Sequence, residues 1–211
     1  MSKKFIVNVG CARSGTTAMD AFFEKNSFGE TPREKKEIQA FSKGNIKICD
    51  YLEYFGNSDS DFFFESSPPY VHAGFGKFER VIKSIKSCDD DARFLVVFNL
   101  RSLAKRAFSH YWHDISKHHA LYGADWKVRT KNDPSRYSVV YTDNFFEALA
   151  KDYDKFLPDI MRMILLSGKE LGWKNVKVIL QKELNQGVAK LCEELGINTF
   201  GGTVPRTLGC K

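Results

Sequence analysis

The chain has no run of about 18 apolar residues, so no membrane-crossing helix is expected. It has no low-complexity tract, no internal repeat and no linker-like shift of composition, so nothing divides its 211 residues into separate domains. A single domain spanning 1–211 has enough bulk to bury a core. Met1-Ser2-Lys3-Lys4 leads straight into an apolar run, so a cleavable signal peptide is not expected. The five cysteines, at 11, 49, 88, 192 and 210, lack metal-ligand spacing. Their odd count and irregular spacing favour free thiols in a reducing compartment, so a cytoplasmic location is expected. A further absence concerns one lysine. The loop Gly10-Cys11-Ala12-Arg13-Ser14-Gly15-Thr16-Thr17 follows the strand-like run Phe5–Val9. An ordinary ATP-binding loop has Lys after its second glycine, to reach the outer phosphates. Thr16 stands there instead, and the cation of this loop is Arg13.

What is present is a chain of 18 phenylalanines and net charge +6. The first predicts an aromatic core. The second suits an anionic ligand and equally suits nonspecific attraction to nucleic acid. Apolar runs alternate with helical patterns. Strands are expected at 5–9, 62–64, 94–98 and 176–180, with a short one at Ile46–Ile48. Helices are expected at 16–26, 75–87, 102–119, 143–157 and 183–195, with Pro158 starting another short helix and Gly196 ending the last. Residues 120–142 form a long polar and aromatic stretch. This alternation predicts an α/β fold with a central, mainly parallel sheet under right-handed crossovers, flanked by helices in three layers.

Three groups of residues carry chemistry. In the loop 10–17, glycines let the backbone approach an anion, and the helix start aims free N–H groups at it. Arg13 can fork two donors onto a phosphate or sulfate, and Ser14, Thr16 and Thr17 add hydroxyls around Gly15. The second group is Arg101 to His113. Arg101 stands at the carboxyl end of a buried strand, where open α/β sheets bind ligands, and Ser109 lies about two helical turns on. Taken alone this is also a basic amphipathic helix with a solvated face. The third is Phe64-Glu65-Ser66-Ser67-Pro68-Pro69-Tyr70, a carboxylate and hydroxyls at another strand end, with His72 just beyond. His110 and His113 have helical spacing that suits a metal, but no carboxylate-rich set accompanies them, and no metal is expected.

Together these segments resemble the sulfotransferases that use 3′-phosphoadenosine 5′-phosphosulfate (PAPS), in particular the heparan sulfate and bacterial carbohydrate branch. Gly10–Thr17 is similar to the family's phosphosulfate loop. Arg101, Arg106, Ala107, Ser109 and Tyr111 match its 3′-phosphate motif, with Leu103 where proline is usual. Residues 65–70 resemble Glu-Lys-Ser/Thr-Pro-x-Tyr, with Ser66 in place of lysine. Lys36-Glu37-Ile38-Gln39-Ala40-Phe41 resembles the segment that carries the family's base, with Gln39 in place of histidine. The resemblance covers residues 5–113 well and is thin over 114–175. It implies a P-loop-like fold and transfer of a sulfuryl group from PAPS to an acceptor hydroxyl of a carbohydrate or small molecule, leaving 3′-phosphoadenosine 5′-phosphate (PAP).

On this reading Arg13 is catalytic. Ser14, Gly15, Thr16, Thr17, Arg101 and Ser109 join it in holding the donor, and Arg206 in the Gly-containing tail closes over the nucleotide. Glu37 is the expected base and Glu65 its rival. Glu65, Tyr70 and His72 are the expected acceptor contacts, and residues 27–61 and 114–142 the acceptor loops. Neither nucleic acid nor membrane is an expected partner. A homo-oligomer would let a second subunit complete a shallow cleft. Two other readings stay open: a small-molecule or nucleotide kinase with a degenerate loop, and a noncatalytic basic module for nucleic acid or glycans.

Overall fold

Four short apolar runs pair into one parallel sheet: β1 (Lys4–Asn8), β2 (Phe62–Ser66), β3 (Arg93–Leu100) and β4 (Val176–Leu180), in the order β2-β1-β3-β4. The computed structural model describes residues 3–26, 29–34, 37–56, 59–88, 92–122 and 145–197, with backbone alone over 114–122 and 145–157. The chain forms two compact units, Met1–Leu100 with Arg162–Lys211, and Arg101–Met161. The first unit holds the whole sheet.

Side chains alternate across the sheet with a period of two. Ile6, Phe64, Leu95, Val97 and Ile179 face helix α1 (Thr16–Asn26) and the C-terminal helix Leu184–Leu195, packing with Met19, Phe22, Phe23, Val188 and Leu191. On the other face Phe5 stacks on Phe63 and on Phe94, each with centroids 4.8 Å apart. A 3-10 turn at Ala40–Lys43 and the short helix α2 (Ile48–Leu52) cover that face through Phe41 and Tyr51. Then come the one-turn helix α3 (Pro69–His72) and α4 (Phe75–Lys86), whose Phe78 packs on Phe98. The sheet is thus covered on both faces, as buried parallel strands require.

In the second unit, α5 spans Leu103–Tyr122 and buries Arg106, Ala107 and Tyr111. Helix α6 runs Phe145–Leu171, and the helix Leu184–Leu195 is α7, ending at Gly196 with φ 73°. Two expectations are corrected. Ile46–Ile48 is not a strand; Ile48 opens α2, because burying Tyr51 completely between Phe5 and Phe41 fixes that segment as a helical turn. Pro158 does not start a new helix but lies inside α6. Its side is exposed, so the carbonyl one turn back that loses its amide partner can turn to water.

Among the described cysteines, Cys11, Cys88 and Cys192 are buried and Cys49 is exposed. Burial pushes the Cys192 thiol up to about 11. An aromatic disulfide reagent at pH 8 is therefore expected to titrate Cys49 in the native protein and to reach Cys192 only after unfolding. Equal rates at the two sites would contradict this burial.

Candidate functional site

The order β2-β1-β3-β4 makes the chain leave β1 toward one side of the sheet and return to its other side. The crevice between the carboxyl ends of β1 and β3 is therefore the switch point, where α/β sheets bind ligands. The loop 10–17 sits there. Its backbone is tied down residue by residue. Gly10 N donates to Asn8 Oδ1 at 3.1 Å, Cys11 N to the Asn99 carbonyl at 3.1 Å, and Ser14 N to the Cys11 carbonyl at 3.1 Å. Ala12 N donates to His72 Nε2 at 3.2 Å, which brings the end of α3 onto the loop. Arg13 adopts the left-handed conformation at φ 68°, and Gly15 does so at φ 99°.

Gly15 accepts from Ala18 N and Met19 N, each at 3.1 Å, and so closes the first turn of α1. The amides of Gly15, Thr16 and Thr17 make no hydrogen bond among the described residues. They are the orphan donors of a helix start, and they carry its partial positive charge. Ser14 and Thr16 are buried, and Thr17 is exposed. The Ser14 hydroxyl is fully buried and has no hydrogen-bond partner among the described residues. A buried hydroxyl left that way is costly, and a ligand oxygen would satisfy it.

Beneath the loop lies a buried polar floor. Asn8, Ser66 and Asn99 stand at the carboxyl ends of β1, β2 and β3 on the α1 face, and all three are fully buried. Asn8 Nδ2 donates to Ser66 Oγ at 3.3 Å, and Asn99 Nδ2 points at Met19 Sδ at 3.0 Å. No sequence pattern announces this floor; only the strand register does, by setting Asn8 beside Ser66.

The opposite face ends in Glu65. Its Oε2 accepts from Tyr51 Oη at 2.5 Å, and its Oε1 from Ser67 Oγ at 2.6 Å and Tyr70 Oη at 2.8 Å. Burial pushes this carboxyl up, against the three hydroxyls, which pull it down. Tyr51 and Tyr70 are held well above the usual phenol range by burial and then by the Glu65 charge. Glu65 and Tyr70 were expected to meet an acceptor. Both are fully buried, with their polar atoms turned on each other. The reason is register: Glu65 shares a face with Phe63, so it points into the aromatic layer. His72 is exposed and lies against the loop, an arrangement that spacing in the sequence does not reveal.

Glu37 is exposed and makes no hydrogen bond or ion pair among the described residues. Two residues on, Gln39 is left-handed at φ 50°, and its amide donates to Ser67 Oγ at 3.3 Å. In the second unit, Arg101 is half-buried just after β3, and Ser109 is half-buried on α5, beyond the buried Arg106. Arg206, the tail 201–206 and residues 123–144 lie outside the described residues. Among the described residues no group of three or more His, Cys, Asp or Glu is placed to hold a metal ion. None of their helices is long and apolar enough to cross a membrane.

No family model and no curated protein matches the chain. Among solved structures, it is similar to the crystal structure of a sulfotransferase from Alicyclobacillus acidocaldarius. That likeness covers 96% of this chain and 84% of the other, at 21% identity and a TM-score of 0.62. The chain therefore has an α/β fold of the kind seen in that sulfotransferase, a four-stranded parallel sheet flanked by helices.

Proposed function

We propose that the chain is a sulfotransferase that moves a sulfuryl group from PAPS to an acceptor hydroxyl of a carbohydrate or small molecule. The observation that carries this reading is the loop at the switch point. It joins a buried hydroxyl and three helix-start amides that have no hydrogen-bond partner among the described residues to a cationic residue in a strained backbone conformation. Every one of these donates, so the loop selects an anion. The missing lysine after Gly15 argues against an ordinary ATPase.

In the proposed reaction the acceptor oxygen bonds to sulfur while the sulfur–oxygen bond to the 5′-phosphate breaks. The electron pair of that bond stays on the phosphate. Arg13 and the amides of Gly15, Thr16 and Thr17 meet the charge that develops there, with Ser14 and Thr16 completing the cradle. Arg13 stabilises charge and does not donate a proton, since guanidinium keeps its proton at working pH. Glu37 takes the acceptor's proton. Arg101 and Ser109 hold the 3′-phosphate, and Arg206 closes over the nucleotide. Residues 27–61 and 114–142 supply the acceptor's contacts, and the chain works in the cytoplasm.

A thermal-shift comparison of PAP with ADP tests this. At about 100 times its dissociation constant, PAP is expected to stabilise the protein by about 2.7 kcal/mol. For a chain of this size that raises the melting temperature by roughly 5–10 °C. ADP, which lacks the 3′-phosphate, is expected to do much less, and Arg101→Ala is expected to erase the difference. Equal shifts by the two nucleotides in the wild-type protein would overturn the 3′-phosphate role of Arg101. A shift by ATP with magnesium and none by PAP would point to a kinase. No shift by any nucleotide, with steep salt-dependent binding of polyanions, would point to a basic binding module.

A further inference from the structure

We infer that Glu65 is a positioning residue, which holds the segment Ile38–Phe41 as a strap at the loop-bearing end of the sheet. This rests on the reading above, because the strap follows directly on Glu37.

The geometry is two parallel relays. Gln39 N donates to Ser67 Oγ at 3.3 Å, and Ser67 Oγ donates to Glu65 Oε1 at 2.6 Å. Phe41 N donates to Tyr70 Oη at 3.2 Å, and Tyr70 Oη donates to the same Oε1 at 2.8 Å. In each relay the hydroxyl accepts from the strap, so its hydrogen is committed to the carboxylate. Both relays end on one oxygen, so a carboxamide would keep them on its carbonyl and turn its NH2 on Tyr51 Oη. An apolar side chain removes the shared acceptor and with it the anchor of both relays.

A buried carboxyl group surrounded by hydroxyls is an expensive way to fill a core. An apolar side chain would pack there at lower cost. What the carboxyl adds is direction: its Oε1 orients two hydroxyls, which orient two strap amides. Between those amides the backbone passes through the left-handed Gln39, a conformation that persists only where its surroundings enforce it. The same Ser67 joins the strap to the anion loop. Ser67 N donates to the Asn8 carbonyl at 3.0 Å, and Asn8 Oδ1 accepts from Gly10 N at 3.1 Å. The strap is thus referenced to the strand end that carries the loop, and Glu37 enters it two residues before Gln39.

The test is Glu65→Leu in the full chain, read three ways. Amide hydrogen exchange at Gln39 and Phe41 is expected to quicken by about tenfold, the effect of losing one net hydrogen bond. PAP affinity by calorimetry is expected to stay unchanged, since the loop keeps its own bonds. PAP release from PAPS, supplied with a phenol, an alcohol, an amine and an oligosaccharide as acceptors, is expected to lose about tenfold in kcat with KM for PAPS unchanged. Ser67→Ala keeps the Glu65 carboxyl and the Tyr70 relay, and it is expected to free Gln39 alone. If Glu65→Leu fails to fold, Ser67→Ala and Tyr70→Phe carry the same three readouts.

Unchanged exchange at Gln39 and Phe41 would overturn the proposal. So would exchange that rises equally across all four strands, which is loss of stability only, and so would a loosened strap with undiminished kcat. If the wild-type protein neither binds PAP nor releases it, the functional reading fails. The exchange at Gln39 and Phe41 still decides whether Glu65 holds the strap.

Discussion

Arg13→Ala is expected to slow sulfuryl transfer by roughly 10²–10³-fold, the usual cost of deleting one preorganised donor aimed at developing charge. Stability is expected to change little, because Arg13 is half-buried in a loop whose backbone is pinned by Asn8, Asn99 and His72. Two companion variants separate charge from conformation. Arg13 is left-handed at φ 68°, where a residue with a Cβ pays about 1–2 kcal/mol relative to glycine. Arg13→Gly is therefore expected to be as slow as Arg13→Ala but to melt higher. Arg13→Lys keeps the charge and loses the two-pronged fork, so its rate is expected to lie between those of alanine and wild type. Single-turnover release of PAP from PAPS, together with melting temperatures, gives all four values. An alanine variant as fast as wild type would remove Arg13 from the chemistry.

The parts of this site that depend on neighbouring residues were legible in the sequence. The strand, loop and helix at the amino end were expected at 5–9, 10–17 and 16–26, and they occur at Lys4–Asn8 and Thr16–Asn26 with the loop between. Glycine placement and hydrophobic period act over a few residues, so they survive in one dimension. β4 and the Gly196 cap were legible for the same reason. What tertiary contact decides was not. Ile46–Ile48 is too short an apolar run for its period to separate strand from helix, and the burial of Tyr51 settled it. The inward aim of Glu65 follows from strand register, and its partners are Tyr51, Ser67 and Tyr70, the last two of which carry residues 39 and 41 to it, a set that no spacing rule links. The contact of His72 with Ala12 joins segments that are distant in the chain. Nothing in the sequence sets Asn8 and Asn99 apart; the sheet order places them on either side of the switch point.

Gly10→Ala is expected to damage stability and anion binding together, and the geometry says why one methyl group does both. A Cβ at this position would lie 2.7 Å from Asn8 Oδ1, 3.0 Å from Thr16 Cγ2 and 3.1 Å from Asn99 Cβ. Asn8 and Asn99 are fully buried, and Thr16 is nearly so, so none of the three has free space to retreat into. Asn8 is held further by Ser66 Oγ. The methyl group must push Asn8 Oδ1 off Gly10 N or lift the loop from the strand end. Overpacking of this kind costs about 1–3 kcal/mol, which for a chain of this length lowers the melting temperature by roughly 2–12 °C. Lifting the loop also moves Ser14 and the amides of Gly15 to Thr17 relative to one another, so the PAP-induced thermal shift is expected to vanish even in the fraction that folds. Gly76→Ala is the control. Nothing lies within 4 Å of a Cβ there, and it sits inside α4, where alanine is the better helix former. It is expected to leave PAP binding intact and to hold or raise the melting temperature. A Gly10→Ala protein that melts and binds PAP like wild type would mean that the close approach of β1, β3 and α1 at Gly10 does not shape the cradle.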